Sequence, residues 1–160
     1  MEKLNDIKSY LTKPSLARAK GIDSRSRTGG YRVLFYGDNN MEKSLVVEQL
    51  SREHGKEVYR VDLSKIVSKY IGETEKNLQA VFDKADSRDV ILLFDEADAL
   101  FGKRTNIRDS HDKYANLEIN YLLQKLEEYS GLVILSTNQK ANIDAPFMRR
   151  FQTVLNFKNP

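Results

Sequence analysis

The run Val90-Ile-Leu-Leu-Phe94, closed by Asp95-Glu96, constrains this chain most. An unbroken apolar run of that length reads as a strand buried on both faces, hence a parallel sheet with helices on each side. Acids placed directly after such a strand stand at the carboxyl edge of the sheet, where open α/β folds bind ligands. The rest of the pattern agrees, with short β-rich runs alternating with longer helical ones. Residues 32–36, 58–62 and 132–135 read as further strands and 152–157 as a last one. Residues 2–11 and 43–54 read as helices, the second stopped by Gly55. Leu78, Val81, Phe82 and Ala85 form one helical stripe, and Ile119, Leu122, Leu123 and Leu126 another. Residues 64–70 read as a short helix or turn, and 24–30 and 102–113 as exposed loops.

Composition narrows the function. The 160 residues fit one domain with a real core: a leading helix and flexible loop over 1–30, then an α/β body over 31–160. There is no cysteine, which excludes disulfides and thiolate chemistry, and two histidines make a histidine-rich metal site improbable. The net charge of +3 is mild and spread out, so neither specific nucleic-acid binding nor a membrane surface is expected. No stretch of 18 apolar residues occurs, and a cytoplasmic location is the default.

The loop after the first strand reads Gly37-Asp38-Asn39-Asn40-Met41-Glu42-Lys43-Ser44. The phosphate-binding pattern G-x-x-x-x-G-K-[ST] needs this strand–loop–helix context, and Gly37, Lys43 and Ser44 fit it. Glu42 stands where the second glycine lets backbone N–H groups close around phosphates. A carboxylate ~5 Å from a phosphate charge is repelled by about 3 kcal/mol at an effective dielectric of ~20, and by much less if it turns to solvent. Taken alone, this octapeptide is equally an ordinary strand-to-helix turn.

The Asp95-Glu96 pair is the stronger signal. Asp95 suits Mg²⁺, held directly or through water, and Glu96 suits a base that orients and deprotonates water. Asn138, after the strand ending Leu135-Ser-Thr137, reaches toward a γ-phosphate or simply caps a turn. Arg149 and Arg150, set among Phe147, Met148 and Phe151, either solvate or act as arginine fingers. Lys69-Tyr70-Ile71-Gly72 presents an aromatic and an aliphatic side chain that equally suit burial.

In their order along the chain these segments resemble the AAA family of the AAA+ ATPases, from about residue 31 to residue 157. The stretches Ala99-Leu-Phe-Gly-Lys-Arg104 and His111-Asp-Lys-Tyr-Ala-Asn116 look like bacterial AAA proteins, some of them encoded beside contractile injection systems. The resemblance implies a P-loop NTPase core: three layers around a five-stranded parallel sheet of order 5-1-4-3-2. It implies ATP and Mg²⁺ bound between subunits of a homo-oligomeric ring, usually a hexamer, that acts on a protein substrate. By position, residues 37–44 would hold the nucleotide, with Lys43 on the phosphates and Ser44 and Asp95 on Mg²⁺. Glu96 would be the base, Asn138 the first sensor, and Arg149 and Arg150 fingers in trans. Lys69, Tyr70 and Ile71 would line a pore that grips polypeptide.

The family's loop reads G-P-P-G-T-G-K-T. Here Asp38 and Asn39 replace prolines, and Asn40 and Glu42 replace glycines. Asparagine tolerates left-handed backbone, so Asn40 is the milder change. The chain ends at Pro160, before the helical lid of the family, so a lidless, largely monomeric core is expected. The leading expectation is an ATP-hydrolysing remodelling core with weakened ATP binding. The alternative is a pseudo-ATPase, a structural or regulatory ring subunit.

Overall fold

A computed structural model of the protein describes residues 2–12, 30–101, 110–138 and 145–158. Its strands are β1 (Tyr31–Tyr36), β2 (Glu57–Asp62), β3 (Val90–Asp95), β4 (Leu132–Thr137) and β5 (Thr153–Asn156). They form one sheet in the order β2-β3-β4-β1-β5, with every pairing parallel. That is the expected 5-1-4-3-2 order counted from the other edge. The continuous apolar runs of β3 and β4 lie inside the sheet, where helices cover both faces.

The helices are α1 (Glu2–Thr12), α2 (Asn40–His54), α3 (Leu63–Ile66), α4 (Glu73–Asp86), α5 (Asp98–Phe101), α6 (Ser110–Glu128) and α7 (Ala145–Met148). Alternate strand residues face different layers. Val33, Phe35, Ile91, Leu93 and Ile134 pack with Ile7 and Leu11 of α1 and Val47 and Leu50 of α2. On the opposite face Leu34, Leu92, Phe94 and Leu135 pack with Leu78 and Phe82 of α4 and Leu122 and Leu126 of α6. Both predicted stripes are buried, each Val, Leu, Ile or Phe side chain contributing roughly 1.5–3 kcal/mol. α1 is tied down by Tyr10, whose ring packs 5.1 Å from that of Tyr31 and whose hydroxyl donates to Ser130 O at 3.1 Å.

Parallel register brings the strand ends to one edge. Tyr36 lies beside Thr137, Phe94 beside Leu135, and Asp62 beside Asp95. The loops after β1, β3 and β4 therefore meet.

Two boundaries differ from expectation. α2 begins at Asn40, three residues before Lys43, because Asn39 caps it, and Gly55 ends it in the left-handed conformation as expected. α6 begins at Ser110, inside the segment expected to be loop. Residues 24–29 and 102–109 lie outside the described residues.

Candidate active site

Gly37 closes β1 at φ 120°, and a Cβ there would stand 2.5 Å from the carbonyl carbon of Phe157. Only glycine fits that conformation and that approach. Its N–H donates to Thr137 O, and the next turn is drawn toward β5 by Asn39 N–H donating to Phe157 O at 2.7 Å. From there the chain winds straight into helix. Asn39 Oδ1 accepts the Glu42 N–H at 3.1 Å, and Asn39 Nδ2 donates to Glu42 Oε2 at 3.1 Å. This reciprocal pair, a variant of the capping box, satisfies an N-terminal amide that would otherwise seek a partner. Glu42 is thus engaged in a helix cap and is not among the residues lining the cleft. Asn40 is helical, not left-handed: Glu96 is the sole non-glycine with positive φ among the described residues. Asp38 and Met41 are exposed, Met41 at 76%.

Lys43, one turn into α2, is 5% exposed. Its Nζ donates to Thr137 O at 2.9 Å and to Asn138 Oδ1 at 3.2 Å. Burial lowers its pKa from the ordinary 10.5, opposed in part by the charges of Asp95, Asp98, Glu96 and Asp38. A buried cation with four carboxylates around it is the kind of perturbed charge that clusters at functional sites.

The end of β3 is organised by other strands. Ala97 N–H donates to Ser136 O at 3.0 Å, which turns the chain and holds Glu96 at φ 58°. Such a conformation costs a non-glycine residue of order 1 kcal/mol or more and persists where the surroundings impose it. Asp95 Oδ1 accepts the Glu96 N–H at 2.9 Å, and Asp95 Oδ2 is ion-paired with Arg60 of β2. Asp98 ties β3 to β4, with Oδ1 accepting from the Thr137 hydroxyl and Oδ2 from the Asn138 N–H at 3.1 Å.

The result is a cleft at the carboxyl edge lined by Asn40, Lys43, Ser44, Arg60, Asp95 and Glu96, over an apolar floor that includes Val47 and Leu93. Two cations, a hydroxyl and two carboxylates at the head of a helix fit a polyphosphate carrying a divalent cation. No group of three or more His, Cys, Asp or Glu that could hold a metal occurs among the described residues.

Comparison with known proteins decides the family. The model of the ATPase family associated with various cellular activities (AAA) matches residues 33–159. The chain belongs to this AAA ATPase family. Among its relatives, the "Uncharacterized AAA family ATPase y4kL" of Sinorhizobium fredii is 33% identical over 89% of this chain and 42% of its own length. "Cell division protein C" of Sulfolobus acidocaldarius is 31% identical over 80% of the chain and 37% of its own length. "Peroxisomal ATPase PEX6" of Colletotrichum orbiculare is 31% identical over 95% of the chain and 12% of its own length. The chain thus spans less than half the length of these relatives. No helix among the described residues is long and apolar enough to cross a membrane.

The remaining expected AAA positions lie outside the cleft. Tyr70 and Ile71 are 64% and 73% exposed, not buried, and Lys69 Nζ sits 5.7 Å from the centre of the Tyr70 ring. Their loop is stapled at its base by Ser68 N–H donating to buried Thr74 Oγ1 and by Asn77 Nδ2 donating to Ile66 O. Arg149 and Arg150 are exposed in the turn after α7, where Arg150 pairs with Glu127 at 3.4 Å. Two site residues were not foreseen. Asp98 was visible beside Asp95-Glu96 but its bridging role needs β4. Arg60 had one signal, a charge at an alternate position of β2 on the same face as Val58.

Proposed function

We propose that this chain is the Mg·ATP-binding and ATP-hydrolysing core of an AAA machine that remodels or threads a protein substrate. The observation that supports it most is the convergence of Lys43, Ser44, Asp95 and Glu96 on one cleft at the sheet edge. Bound Mg·ATP would supply the polyphosphate and a divalent charge. Lys43 would exchange Thr137 O and Asn138 Oδ1 for phosphate oxygens, and Ser44 and Asp95 would hold the metal. Glu96, exposed and fixed at the strand end, would take the proton of the attacking water. Asn138, held by Asp98 through its N–H, would keep its amide oriented toward the reacting centre. Arg149 and Arg150 would serve a neighbouring subunit's site in a homo-oligomeric ring, a hexamer by family pattern. Lys69, Tyr70 and Ile71, presented to solvent on a stapled loop, would grip extended polypeptide. The domain bounds proposed are 31–160 for the core, preceded by α1 and its loop.

A second reading is favoured by the Asn39–Glu42 cap. If that cap never opens, the chain is a pseudo-ATPase that serves a ring as a structural subunit. Glu96→Gln in the ring-forming protein separates the two. The variant should bind Mg·ATP and lose turnover by about 10²- to 10⁴-fold, and Tyr70→Ala should keep turnover and lose remodelling. Turnover that survives Glu96→Gln would remove the base from the mechanism.

A further inference from the structure

Arg60 is the one charged cleft residue to which the family pattern gives no part. It belongs to β2, in register with Leu93, and shares its face of the sheet with α2. Period-two geometry alone would make this position apolar, as Val58 is. Instead the guanidinium lines the cleft beside Ser44 and reaches up to Asp95 Oδ2. The other oxygen, Oδ1, already accepts the Glu96 N–H. Both oxygens of the carboxylate expected to meet the metal therefore have partners within the chain.

The two members of the pair differ in freedom. The Asp95 side chain is 22% exposed and set on the central strand, while that of Arg60 is 63% exposed on a long stem. A metal ion arriving at Asp95 would be repelled by a guanidinium on the same oxygen, and the flexible arginine is the partner that can leave. Its charge also matches the local need, because Asp95, Glu96 and Asp98 crowd one strand end while Lys43 is turned toward β4.

We propose that Arg60 is a built-in counter-ion for the metal carboxylate: it holds Asp95 in place when no metal is bound and must be displaced when Mg²⁺ enters with nucleotide. Arg60 is then a positioning residue that sets the Mg²⁺ concentration the site requires. This rests on the nucleotide-binding reading above.

The test is binding of a ribose-labelled fluorescent ATP analogue to the full chain, titrated across Mg²⁺ concentrations. Arg60→Gln should lower the Mg²⁺ concentration for half-maximal binding by about two- to fivefold, the range of a partly exposed ion pair. Arg60→Lys, which keeps a cation but loses the fork, should fall between the two. In an Asp95→Asn background the Arg60→Gln shift should vanish, since the contact it removes no longer exists. A Mg²⁺ midpoint that is unchanged or higher in Arg60→Gln, while the analogue still binds, overturns this inference alone. A parent chain that binds no analogue at any Mg²⁺ concentration overturns the nucleotide-binding reading and this inference with it.

Discussion

At the end of β3, Asp95 and Asp98 are held by groups from other strands: Arg60 of β2, and Thr137 with the neighbouring Asn138 N–H at the end of β4. At the end of β1 the backbone of Gly37 and Asn39 is drawn to Thr137 and Phe157, but the side chains of Asn39 and Glu42 are held by each other, three residues apart. The acid side chains of one wall are thus fixed by long-range contacts that exist only in the folded sheet. The side chains of the other wall are set by a local helix cap. The acids are held in place at the cost of a left-handed Glu96, whereas the loop is satisfied by its own cap, which on the proposed reading has to open before its amides meet phosphate.

The sharpest way to break this contrast is Asp98→Ala. It strands the Thr137 hydroxyl and the Asn138 N–H together, and should lower stability by about 1–3 kcal/mol in urea denaturation. A loss no larger than that of a surface substitution would mean the strand end is not cross-braced. Next in size is Asn39→Ala, which removes the cap of α2 and should cost about 1 kcal/mol by the same measurement. Were it to cost more than Asp98→Ala, the ranking of the two walls would reverse.

The smallest effect is one of pH. Burial lowers the pKa of Lys43 below 10.5, so the unfolded chain binds its proton more tightly than the folded one. The stability this lysine withholds at neutral pH returns as pH rises through its lowered value toward the unfolded one. Lys43→Met has no such proton to release. Between about pH 7 and about pH 10 the urea midpoint of the parent should therefore gain on that of the variant. A gap that stays constant would place Lys43 in water rather than against Thr137 and Asn138.

Much of the architecture was legible because it follows from periodicity. The unbroken Val90-Ile-Leu-Leu-Phe94 run told of a strand covered on both faces, and the stripes at 78–85 and 119–126 told which helix faces would be buried. The acids at 95 and 96 were legible for the same reason, since the end of a buried strand fixes where the next residues stand. The start of α2 was not. Reading Asn40 and Glu42 as replaced glycines left unread that Asn39 and Glu42, three apart, also spell a helix cap. Arg60 and the bridge from Asp98 to β4 were hidden because each depends on strand adjacency that sequence spacing does not carry.

The two walls are tested together by calorimetric titration of Mg·ATP into the parent chain and into Glu42→Gly. The glycine removes the carboxylate and its contact with Asn39 Nδ2, keeps the backbone N–H that Asn39 Oδ1 caps, and leaves the β3 wall untouched. The cleft as described should bind in both chains, with the variant tighter by about tenfold or more, as removal of a repelled charge requires. Equal affinity in the two chains would show that the loop is no barrier, and absence of binding in both would show that the preorganised acids do not make a nucleotide site.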